Sequence, residues 1–444
     1  MSDASILSPV MRANIEPRIE EMRRDYGQLA GYLRDTQAGL MFNGKVWENK
    51  IQIASNESFH HRWDGEPIGN PTNEEYITAQ WLPKYGYAVA EWSNNIDLLS
   101  TDPNTSLVRL STERVTKAIF NSMNRINQVI WGNGAGELAF ISVAQDDYVA
   151  PTLHFRATGT LVPSVGGKAA TATAQYHRFS NIWLKKGMRV DLISGTTHVP
   201  RVGGTNMLVT YVGKSIGDDA AVNVSVTGPT AKITGLAIGD YFVTHDDIDD
   251  GSTGGTAGAS KAAFGMLAFA GSGNPGGTVV PRYAGNIDSV AYPDWDSGSY
   301  QDAAETNANL SPMTASAILS IQKYGGDPDT LICHPGVESA WWTAFKSTIF
   351  HTNTLTVEGG YEGCYIVVGG KRLFFTGDWG CPRGTLFVFP RNALKYAVRK
   401  AFYLADEDNM LAVSKIDKTS AVFKEIYNLV CVQRQYLSMV INIV

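Results

Sequence analysis

Four groups of residues in this chain have the types and spacing to do chemistry. Gly132, Gly134 and Gly136 in WGNGAG have the spacing of a phosphate-cradling loop. Such a loop must follow a strand and open a helix, so that the helix N-terminus faces the phosphates. Here it follows a long helical pattern, so it reads as a helix end, with Gly132 taking the left-handed turn. No GxxxxGK[ST] run is present. Asp246, Asp247, Asp249, Asp250 and Gly251 resemble a calcium-binding loop. Ile248 takes a ligand position, however, and Ala257 stands where the bidentate Glu is required, so a solvated acidic loop is expected. His60, His61 and Asp64 are metal-ligating types, but adjacent side chains on a strand point to opposite faces, and an exposed hydrogen-bonded pair is expected. Cys333 and His334 could pair as nucleophile and base. They lie in TLICHP, a buried strand entering a helix, where nothing orients His334 as a base, so Cys333 is assigned to the core. No catalytic residue, cofactor or metal ligand is assigned.

The elements that position these groups are organised around one stretch, Asp102 to Gly136. Leu107, Leu110, Val115, Ala118, Ile119, Met123, Ile126, Val129 and Ile130 recur at the spacing of one helical stripe. Asp102 suits the cap and Pro103 the first helical position. The spacing predicts a helix of about 29 residues, ~43 Å long at ~1.5 Å per residue. A helix of that length with a single apolar stripe needs a sheet to lie on. Upstream, residues 9–35 read as an amphipathic helix with Ile15, Ile19, Met22, Tyr26, Leu29 and Leu33 along one side, either solvated or packed on a neighbour. VWENKIQIAS and YITAQWLPKYGYAVAEWSNNIDLLS read as a long two-stranded excursion around a polar, aromatic tip. Isolated two-stranded ribbons are marginal in water. A ribbon carrying Trp47, Trp63, Trp81 and Trp92 is therefore expected to lie on another subunit. Residues 150–250 alternate short strands with Gly, Asp and Ser turns, which predicts a small barrel or sandwich. Residues 251–285 read as a Gly-rich linker. Beyond them come a helix over SPMTASAILSIQKYGG, capped by Ser311 and ended by Gly325, a hairpin turning at Gly369-Gly370, and a long extended run to the C-terminus.

Composition bounds the function. The chain has 444 residues, 44% of them hydrophobic and 18% charged, enough for a substantial core in two or three domains. A formal net charge of -6 gives no basic nucleic-acid footprint. No apolar run approaches the ~20 residues of a membrane span. MSDASILSPVMR lacks a basic-then-apolar pattern, so no secretory signal is expected. Cys333, Cys364, Cys381 and Cys431 are widely spaced and are expected as reduced thiols.

The order of these parts resembles the major capsid proteins of tailed bacteriophages, whose fold is named after the Hong Kong ninety-seven phage. The resemblance rests on YITAQWLPKYGYAVAEWSNNIDLLS running into a spine helix that ends in WGNGAG, then SPMTASAILSIQKYGGDPDTLICHPGVESAWW and the terminal strands. It implies an α+β fold with an N-terminal arm at 1–45, an E-loop at 46–100 and a P-domain with the spine helix at 101–149. A β-rich insertion follows at 150–250, a Gly-rich linker and return to the P-domain at 251–285, an A-domain at 286–395 and C-terminal strands returning to the P-domain at 396–444. The insertion is larger than the minimal fold needs. The implied function is structural: many copies closing an icosahedral shell around double-stranded DNA that the acidic chain does not grip. The implied partners are further copies of the chain, a separate scaffolding protein, a portal and a decoration protein, with no membrane. Subunit contacts are expected at Trp47, Trp63, Trp81, Lys84 and Trp92. Some members of the family join an E-loop lysine to a P-domain asparagine beside a glutamate; here Lys84, Asn428 and Glu425 stand in the corresponding segments, and no cross-link is expected. An encapsulin-type shell housing cargo and a β-rich binding protein are the alternative readings.

Overall fold

The apolar stripe folds as its spacing requires. In the computed structural model Val115, Ile119, Met123, Ile126 and Ile130 are buried along one side of a single 25-residue helix, while Arg114, Lys117 and Asn121 face solvent. The structure describes residues 28–34, 40–54, 73–93, 107–132, 134–143, 148–149, 152–158, 183–212, 220–225, 233, 236–237, 240–248, 260–270, 285, 287–289, 291–297, 299–302, 310–345, 355–357, 361–382, 384–404, 411–412, 418–441 and 443. In chain order the elements are α1 (Gln28–Arg34), β1 (Met41–Phe42), β2 (Trp47–Ala54), β3 (Glu75–Trp81), β4 (Lys84–Ser93), α2 (Leu107–Trp131), β5 (Glu137–Val143), β6 (Tyr148–Val149), β7 (Thr152–Thr158), β8 (Arg189–Ile193), β9 (Met207–Val212), β10 (Ala220–Ser225), β11 (Tyr241–Thr244), α3 (Met266–Ala270), β12 (Ser299–Asp302), α4 (Leu310–Lys323), β13 (Thr330–Cys333), α5 (Pro335–Phe345), β14 (Leu355–Val357), β15 (Tyr361–Val368), β16 (Lys371–Gly377), β17 (Leu386–Phe389), β18 (Leu394–Leu404), β19 (Leu411–Ala412), β20 (Lys418–Cys431) and β21 (Ser438–Ile441). This is an α+β chain.

The spine helix α2 lies on a sheet assembled from distant parts of the sequence. β20 is its middle strand, with β18, β19 and β4 paired to it, all antiparallel. On the helix side of the β4–β20 ladder, Ala88 pairs with Phe423 and Ala90 with Ala421. All four are buried in one cluster with Val115, Ile119 and Met123. Alanines at these positions let the helix sit close to the sheet. The expected two-stranded excursion is thus two structures. β3 pairs with β2 as a ribbon, the chain breaks at Leu82 and Pro83, and β4 joins the C-terminal strand instead. Pro83 has no N–H to continue the β3 ladder, and Asn428 Nδ2 donates to the Leu82 carbonyl at 2.7 Å, closing the gap from β20.

The β-rich unit is a barrel, and it begins earlier than residue 150. The ladder runs β10–β9–β8–β11–β5–β7, and β10 also pairs with β7, so the antiparallel strands close on themselves with β6 at one rim. Closure removes the open edges that a sheet of short strands would expose. β5, inside the segment read as P-domain, stands between β11 and β7 and contributes Leu138, Ala139 and Ile141 to the barrel core.

The third body is a mixed sheet in the order β12–β21–β17–β13–β16–β15–β14. Helix α4 buries Leu310, Ala317, Ile318 and Ile321 in the same core as Leu331, Cys333, Phe375, Leu386 and Val440. The C-terminal run read as one long strand therefore divides at a 3-10 turn over Arg434–Tyr436. β20 stays with the spine, while β21 is inserted between β12 and β17.

Several local expectations hold. Gly369 and Gly370, at φ 58° and 77°, form the turn between β15 and β16. Gly325, at φ 84°, follows α4. Two expectations are corrected. Helix α4 starts at Leu310, ahead of the expected cap Ser311. After α2 the left-handed residues are Gly134 and Gly136, at φ 92° and 73°, and Gly132 instead donates its N–H to the Gln128 and Val129 carbonyls. Asp102 and Pro103 lie outside the described residues.

Candidate assembly surface

The outward face of the β4–β20 ladder is built from the residues that alternate with the buried alanines. Tyr85 pairs with Ile426, Tyr87 with Lys424 and Val89 with Val422. Because one face of β4 is committed to α2, the pleat must turn Tyr85, Tyr87 and Val89 away from it. They are 52%, 58% and 55% exposed, and Leu82 at the head of the strand is 64% exposed. Lys424 Nζ stands 4.6 Å from the Tyr85 ring centroid and 5.4 Å from that of Tyr87. The result is an apolar, aromatic strip with one cation among the rings, a face suited to covering by another chain. The adjoining ribbon adds Tyr76, also exposed, beside Glu74 and Glu75.

The residues expected at a subunit contact are used differently. Trp47 and Trp81 are a cross-strand pair of the ribbon, and both are buried in the chain's own main core, at 4% and 1% exposure. Trp81 packs edge-on against Phe264 and Phe269, with centroids at 6.1 and 5.6 Å, and Gly285 lies so close that a Cβ there would meet the indole at 2.9 Å. Trp47 packs against Phe42 at 5.2 Å. The expectation that these tryptophans reach a neighbour is corrected: the ribbon base has a core within its own protomer. Trp63, with His60, His61 and Asp64, lies outside the described residues, and Trp92 is placed as a residue of β4 opposite Thr419. The expected arm is corrected in the same sense over α1, where Leu29 and Leu33 are fully buried. Tyr32 stacks on Phe374, carries Arg391 over its ring at 4.6 Å and bonds Thr330 Oγ1 at 2.7 Å. Burial pushes the Tyr32 phenol up to about 12.

Lys84 does come close to Asn428 within one chain, since it pairs with Tyr427. Lys84 Nζ donates to the Ser260 carbonyl at 3.0 Å, and Asn428 is held by Leu82. Glu425 is buried on the same strand, with Tyr396 Oη 3.4 Å from its Oε1.

The other candidates resolve as structural. Cys333 is fully buried, and burial pushes its thiol well above the usual range. His334 Nδ1 accepts the Gly336 N–H at 3.0 Å and the ring edge meets Trp379, so it serves the turn into α5. Asp247 departs from the expected solvated loop. Arg125 of the spine helix donates to its Oδ2 at 2.7 Å and to the Gly136 carbonyl at 3.0 Å, tying the barrel to α2. One group was missed in the sequence. Asp191, His245 and Asp246 bring ligand atoms within 4.8 Å of one another. Asp191 already accepts from Asn206 N at 2.6 Å, Asp246 N at 3.0 Å and His245 Nδ1 at 2.8 Å, so it works as a staple joining barrel turns. Asp191 comes from β8 and the adjacent His245 and Asp246 from the turn after its partner strand β11, 54 residues further on, and no spacing rule announces the meeting. The Tyr85, Tyr87, Val89 strip was legible as an alternation; what was missing was which side α2 covers.

Among the described residues, no helix is long and apolar enough to cross a membrane. No protein-family model and no curated protein matches the chain. Solved shell structures are similar to it over about nine-tenths of its length. The capsid asymmetric unit of cyanophage A-1(L) is 12% identical with a TM-score of 0.49, covering 94% of this chain and 92% of that one. The capsid of Myoviridae phage XM1 is 8% identical with a TM-score of 0.38, covering 94% and 92%. The holo-SrpI encapsulin complex from Synechococcus elongatus PCC 7942 is 8% identical with a TM-score of 0.34, covering 89% and 82%.

Proposed function

We propose that this chain is the major capsid protein of a tailed bacteriophage, a structural subunit whose copies close an icosahedral shell around double-stranded DNA. The observation that carries this reading is the exposed strip Leu82, Tyr85, Tyr87 and Val89, laid along a rigid helix-backed sheet. A monomer has no use for such a row, whereas a closed symmetric assembly covers it in every copy. In this reading α2 with the β4–β18–β20 sheet is the P-domain, the β2–β3 ribbon the E-loop and the mixed sheet the A-domain. The barrel is an insertion beginning at β5. The partners are other copies, a scaffolding protein, a portal and a decoration protein, with assembly in a bacterial cytoplasm and residence in the virion. The net charge of -6 fits a wall that encloses DNA without gripping it.

The test is electron microscopy and gel filtration of the expressed chain beside the double variant Tyr85→Ser, Tyr87→Ser. The parent is expected to form closed particles. The variant is expected to keep the parent's melting temperature, because the side chains removed are exposed, and to elute as small species. A monomeric parent rules the reading out. Mass spectrometry of particles carrying a single cargo protein in place of DNA would favour a cargo-housing shell instead.

A further inference from the structure

The turn between β1 and β2 places an exposed Asn-Gly pair with its side-chain amide held over the following backbone. We propose that Asn43 is a site of spontaneous deamidation, a modification that converts the base of the ribbon from an amide-tied turn to one carrying an added carboxylate.

The turn leaves Asn43 and Gly44 exposed and polarises the amide that reacts. Asn43 Oδ1 accepts the backbone N–H of Lys45 and of Val46, both at 3.0 Å, and Nδ2 donates to Glu48 Oε1 at 2.6 Å. Two donors on the side-chain oxygen polarise its carbonyl and stabilise the negative charge that develops there on attack. The nucleophile is the Gly44 backbone nitrogen. Gly44 sits at φ 94° with nothing within 4 Å of the position a Cβ would take, so neither a side chain nor packing obstructs ring closure. The Gly44 N–H loses its proton to hydroxide, and the nitrogen bonds to Asn43 Cγ. The Cγ–Nδ2 bond then breaks, and Nδ2 takes a proton from water and leaves as ammonia. Water opens the resulting succinimide at Cγ to give aspartate, or at the backbone carbonyl to give an isoaspartyl link. The net change is amide plus water to acid plus ammonia.

The product matters because of what faces it. Aspartate at 43 puts a second carboxylate where the amide had donated to Glu48, replacing a hydrogen bond with like-charge repulsion. The isoaspartyl form lengthens the main chain by one carbon and disturbs the Asn43 N to Val46 O bond of 3.1 Å that closes the hairpin. Phe42 and Trp47, the aromatic pair at the foot of the ribbon, flank this turn.

The sequence contains an internal comparison. Its other Asn-Gly pair is Asn133-Gly134. Gly134 is buried against the Phe264 ring, which would meet a Cβ there at 3.0 Å, whereas Gly44 is exposed with nothing within 4 Å, so solvent hydroxide reaches Gly44 more readily.

The experiment incubates the folded, full-length chain in mildly alkaline buffer made with heavy-oxygen water, then maps tryptic peptides by mass spectrometry. The peptide 35–45 is expected to gain the mass of one heavy oxygen in exchange for nitrogen, faster as pH rises, while the peptide containing Asn133 stays unchanged. In urea both pairs are expected to label. Gly44→Ala is expected to abolish labelling at 43, and Glu48→Gln to leave labelling intact while removing the drop in melting temperature between fresh and aged protein. An unmodified Asn43 in the folded chain, or equal labelling at 43 and 133 while folded, overturns the proposal.

Discussion

Trp81 illustrates how little the type of a residue says about its partner. On a ribbon, a large aromatic invites an intermolecular role, yet Phe264, Phe269 and Gly285 enclose it within the protomer. Trp81→Ala is therefore expected to destabilise the isolated chain by about 3–5 kcal/mol, the range for truncating a buried aromatic. Urea unfolding of non-assembled protein measures this, and an unchanged midpoint would return Trp81 to the interface. The buried thiols make a second residue-scale statement. Burial raises the Cys431 thiol from 9.0 to about 12. A raised folded-state value stabilises the protein fully below 9.0, where both states hold the proton. That contribution is lost as pH climbs from 9.0 to about 12, because the unfolded chain ionises first. The urea midpoint is expected to fall over that window, and to fall less steeply in Cys431→Ala.

At the scale of elements, the barrel sets the boundary of the inserted unit. A fragment of residues 150–250 omits β5, the strand between β11 and β7. Without it the ring is open on two ladders and loses Leu138, Ala139 and Ile141 from its core. A fragment of 134–250 is expected to melt cooperatively and the 150–250 fragment to give no cooperative transition, as followed by circular dichroism. Cooperative melting of the shorter fragment would mean that β5 belongs energetically to the spine. The Arg125–Asp247 pair then joins one unit to the other, with side chains 22% and 32% exposed. At that exposure its contribution is modest, and its role is to fix orientation.

At the scale of the whole molecule, two excursions leave one helix-backed sheet. Deleting 56–72, which lies in sequence between β2 and β3, removes no residue of any described strand, so the buried ribbon base, spine and mixed sheet remain. The deletion is expected to give a folded chain by circular dichroism that forms no particles; normal particles would remove residues 56–72 from the assembly mechanism. Lys84 and Asn428 each hold a hydrogen bond within the protomer. Boiled particles are accordingly expected to run as one band at 48.2 kDa on a denaturing gel. A ladder of covalent oligomers would make Lys84 the first residue to replace.

Local chemistry determined the parts. The stripe of α2, the Gly369-Gly370 hairpin and the Gly325 helix end all depend on neighbours a few residues away, where spacing fixes geometry. The tertiary structure alone decided who pairs with whom. An alternating strand has two faces and two edges, and nothing within β4 says that α2 covers Ala88 and Ala90 while Tyr85 and Tyr87 face outward. The same holds for β3 and β4, contiguous but for two residues yet held in different sheets, and for β20 and β21. β4 finds its partner β20 near the other end of the chain, and β21 lies between β12 and β17 while β20 stays on the spine, so the choice rests on which set of buried contacts is best satisfied at once, a property no window of sequence contains.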